Sequence, residues 1–112
     1  MIIYHNPRCS KSRQALALLR ENGVEPQVSE YLKTPPDEAA LRDLLKKLGL
    51  CAHAILRAKE DAYVSCGLSP ESSEAEILTA IAAHPILLER PIIVKGNLAV
   101  IGRPPENVRE LL

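Results

Sequence analysis

Ile2-Ile3-Tyr4-His5-Asn6-Pro7-Arg8-Cys9-Ser10-Lys11-Ser12-Arg13 is the stretch on which the reading of this chain turns. Ile2 to His5 is short, β-branched and aromatic, and Asn6-Pro7 interrupts it, which predicts a buried strand ending in a turn. From Ser10 to Asn22 the apolar residues Ala15, Leu16, Leu18 and Leu19 recur at helical spacing, and Asn22-Gly23 supplies a stop. Cys9 is thereby predicted at a strand-to-helix junction.

Outward from that junction, Pro26 to Leu32, with Val28 and Tyr31, reads as a second strand. Thr34-Pro35-Pro36-Asp37-Glu38 carries a cap residue and prolines suited to starting a helix, predicted from about Pro36 to Leu48 and ended by Gly49. His53 to Arg57 reads as a short helical turn. Ser72-Ser73-Glu74 opens a helix with Ile77, Leu78, Ile81 and Ala82 on its apolar positions, and His84-Pro85 closes it. Pro91-Ile92-Ile93-Val94 and Leu98-Ala99-Val100-Ile101, joined through Lys95-Gly96-Asn97, predict a β-hairpin. A last amphipathic turn or helix follows from about Pro105 to Leu112. The order βαβ, helices, ββα predicts an α/β fold of thioredoxin-like (glutaredoxin-like) architecture: a mixed sheet with flanking helices and a helical insertion.

The 112 residues, 46% hydrophobic and 25% charged, suit one globular domain spanning 1–112. Fourteen basic residues balance fourteen acidic ones, so the overall charge gives no reason to expect nucleic acid or an anionic membrane as partner. The first residues lack the pattern of a signal peptide and no apolar run reaches membrane-span length, so a cytoplasmic location is expected; separately, a monomer is expected. Cys9, Cys51 and Cys66 are odd in number and irregularly spaced, which suits a reducing compartment and matches no zinc pattern; no metal and no bound cofactor are expected. With Tyr4, Tyr31 and Tyr63 as the only aromatic residues, base-stacking platforms are not expected.

A helix N-terminus leaves backbone N–H groups unpaired and carries partial positive charge, so a thiol placed there is favoured as thiolate. Arg8, Lys11 and Arg13 add cations near Cys9, a setting that lowers a cysteine pKa from about 8.5 into the range of roughly 3.5 to 7.5. Ser12 stands where a dithiol oxidoreductase has its second cysteine. It cannot resolve a disulfide, but its hydroxyl can donate to the thiolate or cap the first-turn amides. The blander alternative for Cys9, a small buried apolar residue, is the common fate of free cysteines and is the reading adopted for Cys51 and Cys66.

The same stretch, Tyr4 to Arg13, resembles the active-site segment of the glutaredoxin-dependent arsenate reductases, the ArsC family. The resemblance continues, in the family's order, through Tyr31-Leu32-Lys33-Thr34-Pro35-Pro36, Leu56-Arg57, His84-Pro85-Ile86-Leu87, Glu89-Arg90-Pro91-Ile92-Ile93-Val94 and Gly102-Arg103-Pro104-Pro105-Glu106. It implies that Cys9 is the catalytic nucleophile towards arsenate and that Arg57, Arg90 and Arg103 bind the substrate oxyanion. Such a role suits arginine, whose guanidinium donates bidentately to oxyanion oxygens without losing its charge. Glutathione is the implied co-substrate and a glutaredoxin the implied partner. His5 and Ser12 are candidates for tuning the thiolate, whereas His53 and His84 are expected to be structural. The resemblance also implies a cis peptide bond at Arg90-Pro91. Two departures stand out: the chain stops at Leu112, where longer relatives carry a tail, and Ser10-Lys11 replaces smaller neutral residues.

Two other functions fit a cysteine at a helix start. An Spx-like regulator that binds RNA polymerase generally carries a cysteine pair, which Ser12 excludes, and lacks the arginine of Gly102-Arg103-Pro104. A monothiol thioltransferase acting on glutathione mixed disulfides has no use for three converging arginines.

Overall fold

The computed structural model describes residues 1–112 and resolves into two compact units, Met1–Thr34 with Arg90–Leu112, and Pro35–Glu89. The first holds a four-stranded sheet of order β2-β1-β3-β4, built from β1 (Ile2–Tyr4), β2 (Gln27–Ser29), β3 (Ile92–Lys95) and β4 (Leu98–Ile101). β1 runs parallel to β2, with Ile3 opposite Val28, and antiparallel to β3, with Ile3 opposite Ile93. A parallel neighbour requires a crossover, and α1 (Ser10–Glu21) supplies it. β3 and β4 are joined by Gly96-Asn97, where Gly96 takes a φ of 59°, a left-handed conformation that costs glycine little.

α1 turns Ala15, Leu16 and Leu19 inward at helical spacing. They join Ile3, Ile93, Val108 and Leu111 in one apolar cluster, so the helix and the 3-10 turn Pro105–Leu111 both pack with residues of the central strands. Ile3, Leu19 and Ile93 are fully buried. Burial of each such side chain is worth about 1.5–3 kcal/mol, which fixes where α1 begins relative to the end of β1.

The second unit contains α2 (Glu38–Leu48), α3 (Asp61–Ser65) and α4 (Glu74–Ala83). Asp37 caps α2 by accepting from the Ala40 N–H, and Gly49 ends it with a φ of 68°. Ser73 and Glu76 form a reciprocal capping box at α4. This unit lies in sequence between β2 and β3 and is the expected helical insertion.

One expectation changes in detail and one element is new. The second strand pairs only over Gln27–Ser29, because the chain then turns, with the N–H groups of Lys33 and Thr34 both bonded to the Glu30 carbonyl. α3 was not legible in the sequence; it buries none of its residues and so carries no apolar periodicity. The turn or helix expected from about Pro105 is a 3-10 helix over Pro105–Leu111. No helix is long and apolar enough to cross a membrane.

Candidate active site

Cys9 occupies the N-cap position of α1, with extended backbone and 9% of its surface exposed. Its position is fixed from both sides: its N–H donates to the Asn6 carbonyl and its carbonyl accepts from Arg13 N–H, the first bond of the helix. Burial pushes the thiol pKa up, but the Ser12 N–H, the hydrogen bond and charge of Arg90, and the Lys11 N–H outweigh it. The net result is a thiol held below its ordinary value. Arg103 Nη2 donates to Cys9 Sγ at 3.6 Å.

The cations that act on the sulfur are therefore not the ones adjacent in sequence. Arg8, Lys11 and Arg13 are exposed, and Arg13 Nη1 turns instead to the Pro7 carbonyl at 2.9 Å. An exposed, solvated cation loses most of its influence to water, so the local charge count gave the right direction for the wrong reason. Arg90 precedes β3 and Arg103 follows β4, and the hairpin carries both to the helix start. Arg103 Nε also donates to the Arg90 carbonyl at 2.7 Å, tying the two together. The Arg90-Pro91 bond is cis, as the resemblance implied; Arg103-Pro104 is cis as well, which was not anticipated.

His5 and Ser12 are buried and adjacent, with 2.6 Å between His5 Nδ1 and Ser12 Oγ. Ser12 Oγ also accepts from the Asn6 N–H at 3.1 Å. Asn6 is a site residue that sequence reasoning missed: its Oδ1 accepts from Arg8 N–H at 3.0 Å, so it shapes the loop before Cys9 with three separate groups. Its place beside Pro7 read only as a turn signal. Ser12 thus serves the sulfur through its backbone N–H, while its hydroxyl is engaged by His5 and Asn6.

Arg57 belongs to the second unit, at the end of a short segment in which Leu56 bridges Leu88 and Arg57 N–H donates to the Leu87 carbonyl. Its Nη1 donates to Glu89 at 2.9 Å and its Nε to Glu60 at 3.2 Å. Neither carboxylate was singled out in the sequence. The structural reading of His53 has a partner, since its Nε2 donates to the Ser72 carbonyl at 2.9 Å. Cys51 is exposed and Cys66 half-buried, both free thiols.

The fold and this arrangement define a class, that of thioredoxin-like proteins with a single activated cysteine facing arginine side chains. The ArsC family model matches residues 4–111, and the chain belongs to that family. An arsenate reductase of Neisseria meningitidis is 50% identical over 112 residues, covering 98% of this chain and 96% of the relative. One of Haemophilus influenzae is 45% identical, covering 100% of this chain and 98% of the relative. The solved structure of an arsenate reductase from Vibrio cholerae matches with a TM-score of 0.95 at 47% identity, covering 99% of this chain and 96% of that one.

Proposed function

We propose that this chain reduces arsenate to arsenite, with Cys9 as nucleophile and with electrons drawn from glutathione and a glutaredoxin. The observation that carries the proposal is a desolvated sulfur at a helix start, faced by Arg90 and Arg103, with serine at the place of a second thiol. The names borne by close relatives support the choice of oxyanion.

In this reading the Cys9 thiolate attacks arsenic(V) and an oxygen leaves as water. Arg90 and Arg103 donate to the remaining oxygens and offset the charge that shifts as the sulfur–arsenic bond forms; Arg57 is the third arginine that the family resemblance assigns to the substrate. Glutathione then attacks the adduct. The two sulfurs end as a disulfide, so two thiols lose the two electrons that take arsenic(V) to arsenic(III), and arsenite leaves. Glutaredoxin reduces the mixed species and returns Cys9 as thiol. His5 and Ser12 set the loop geometry that keeps the sulfur at the helix start. The chain acts as a single-domain cytoplasmic monomer, with glutathione as co-substrate and no bound cofactor or metal.

A coupled assay with each reductant system supplied separately tests the proposal. Turnover is expected with glutathione plus glutaredoxin and little with thioredoxin. Full activity with thioredoxin alone would mean that the enzyme builds an internal disulfide and that the external-thiol route is wrong.

A further inference from the structure

Asn107 lies in the closing 3-10 turn, and its side chain reaches back to the chain entering the site. Nδ2 donates to the Ile101 carbonyl at 3.1 Å and to the Arg103 carbonyl at 3.2 Å. Both partners accept only, so the amide orientation is determined: an oxygen turned the other way would face two carbonyls.

Those two carbonyls bracket Gly102, whose N–H donates to the Pro91 carbonyl at 2.9 Å. The residue so held is Arg103, whose guanidinium spans from the Arg90 carbonyl to Cys9 Sγ. The side chain of Asn107 is not what keeps the turn itself in place. Its backbone N–H donates to the Pro104 carbonyl at 3.0 Å, and the turn is anchored by Val108, fully buried, and Leu111. The carboxamide has one evident task left, which is to fix the backbone on either side of Gly102.

We infer that Asn107 is a positioning residue for the cysteine site: its carboxamide holds the Ile101–Arg103 backbone so that the Arg103 guanidinium stays on the sulfur of Cys9. The inference rests on the reading of Cys9 as the nucleophile. The charged groups that face the sulfur are Arg90, ahead of β3, and Arg103, behind β4; His5, at the end of β1, approaches the helix start through Ser12. With Asn107 shortened, two carbonyls lose their donor and the backbone that carries Arg103 is held less firmly, which loosens the Nη2 contact to the sulfur and leaves the thiolate with less stabilisation.

The test uses the full chain carrying Cys51→Ser and Cys66→Ser, so that alkylation by iodoacetamide reports on Cys9 alone. The pH midpoint of alkylation is measured for Asn107→Ala, Arg103→Ala and the double variant, beside steady-state kinetics with arsenate. Asn107→Ala is expected to move the midpoint upward in the same direction as Arg103→Ala and to lower kcat/KM about tenfold, the scale of a lost hydrogen bond to a charged group. Added to Arg103→Ala it should do nothing further, since both act through one guanidinium. Asn107→Asp, of the same shape but without a donor, is the second variant and should shift the midpoint as well. An unmoved midpoint in either Asn107 variant, or losses that add in the double variant, overturns the inference. The alkylation arm needs neither arsenate nor glutathione, so its outcome is separate from whether the chain reduces arsenate.

Discussion

His5 Nδ1 and the hydroxyl oxygen of Ser12 stand 2.6 Å apart, seven residues distant in sequence. That oxygen also accepts from Asn6 N–H at 3.1 Å, so the buried hydroxyl ties the ring of His5 to the backbone of the loop before Cys9. Burial, with Arg20 and Arg13 adding to it and Glu30 opposing, holds the His5 pKa below its ordinary value and favours the neutral ring.

Ser12→Ala should accordingly destabilise the fold rather than change the chemistry alone. It strands a buried N–H and a ring nitrogen, at a cost of about 1–3 kcal/mol. Urea unfolding of the variant beside the parent chain measures it; an unchanged midpoint would mean that water takes over both partners.

His5 also predicts a pH dependence with a definite sign. Its folded pKa is depressed below about 6.5, so the unfolded ring binds a proton first as pH falls. The stabilisation is fully present above about 6.5 and is lost as pH drops through the folded value. Stability of the parent chain should decline over that window, and His5→Gln should remove this part of the slope. Parallel slopes for the two proteins would show that other groups govern it.

Gly102→Ala should disturb the site from behind. A Cβ there would lie 2.8 Å from Pro91 Cγ and 3.1 Å from Ile93 Cδ1, neither of which is the end of a freely moving chain. Overpacking of this kind costs about 1–3 kcal/mol. Thermal melts and arsenate turnover should fall together, since the same backbone leads into Arg103.

Cys9→Ser should abolish reduction, while Cys51→Ser and Cys66→Ser keep most of it, because only Cys9 has the first-turn amides and arginines on its sulfur. All three proteins are compared under the glutaredoxin-coupled assay. Loss of activity in a folded Cys51 or Cys66 variant would establish an internal resolving thiol.

Arg90→Lys and Arg103→Lys should each lower kcat/KM for arsenate at least tenfold although charge is kept, since an ammonium cannot span two acceptors as a planar guanidinium does. For Arg103 the lost reach is specific: Nε bonds the Arg90 carbonyl while Nη2 bonds the sulfur. Arg57→Lys tests the remaining arginine, and there the contacts forfeited in the free protein are those to Glu60 and Glu89. Near-normal efficiency in all three would remove the arginines from the oxyanion site.

What the sequence determined by itself was whatever depends on neighbours along the chain. The strand ending at Asn6-Pro7, the apolar spacing of Ala15, Leu16 and Leu19, the helix stop at Gly49 and the turn at Gly96-Asn97 are local choices, and each was legible, whereas α2 starts at Glu38 behind its cap Asp37 and not at Pro36 as expected. So was Cys9 at the helix start, because a strand end and a helix start meet there within a few residues. Short α3, with no buried residue, left no periodicity to read. Tertiary structure decided which charges count. Arg8, Lys11 and Arg13 are close in sequence yet point to water or to Pro7, whereas Arg90 and Arg103 arrive from the hairpin's two ends. Coulomb interaction depends on distance and desolvation in space, and the β3–β4 pairing, which sets both, brings together residues that no local pattern links to Cys9.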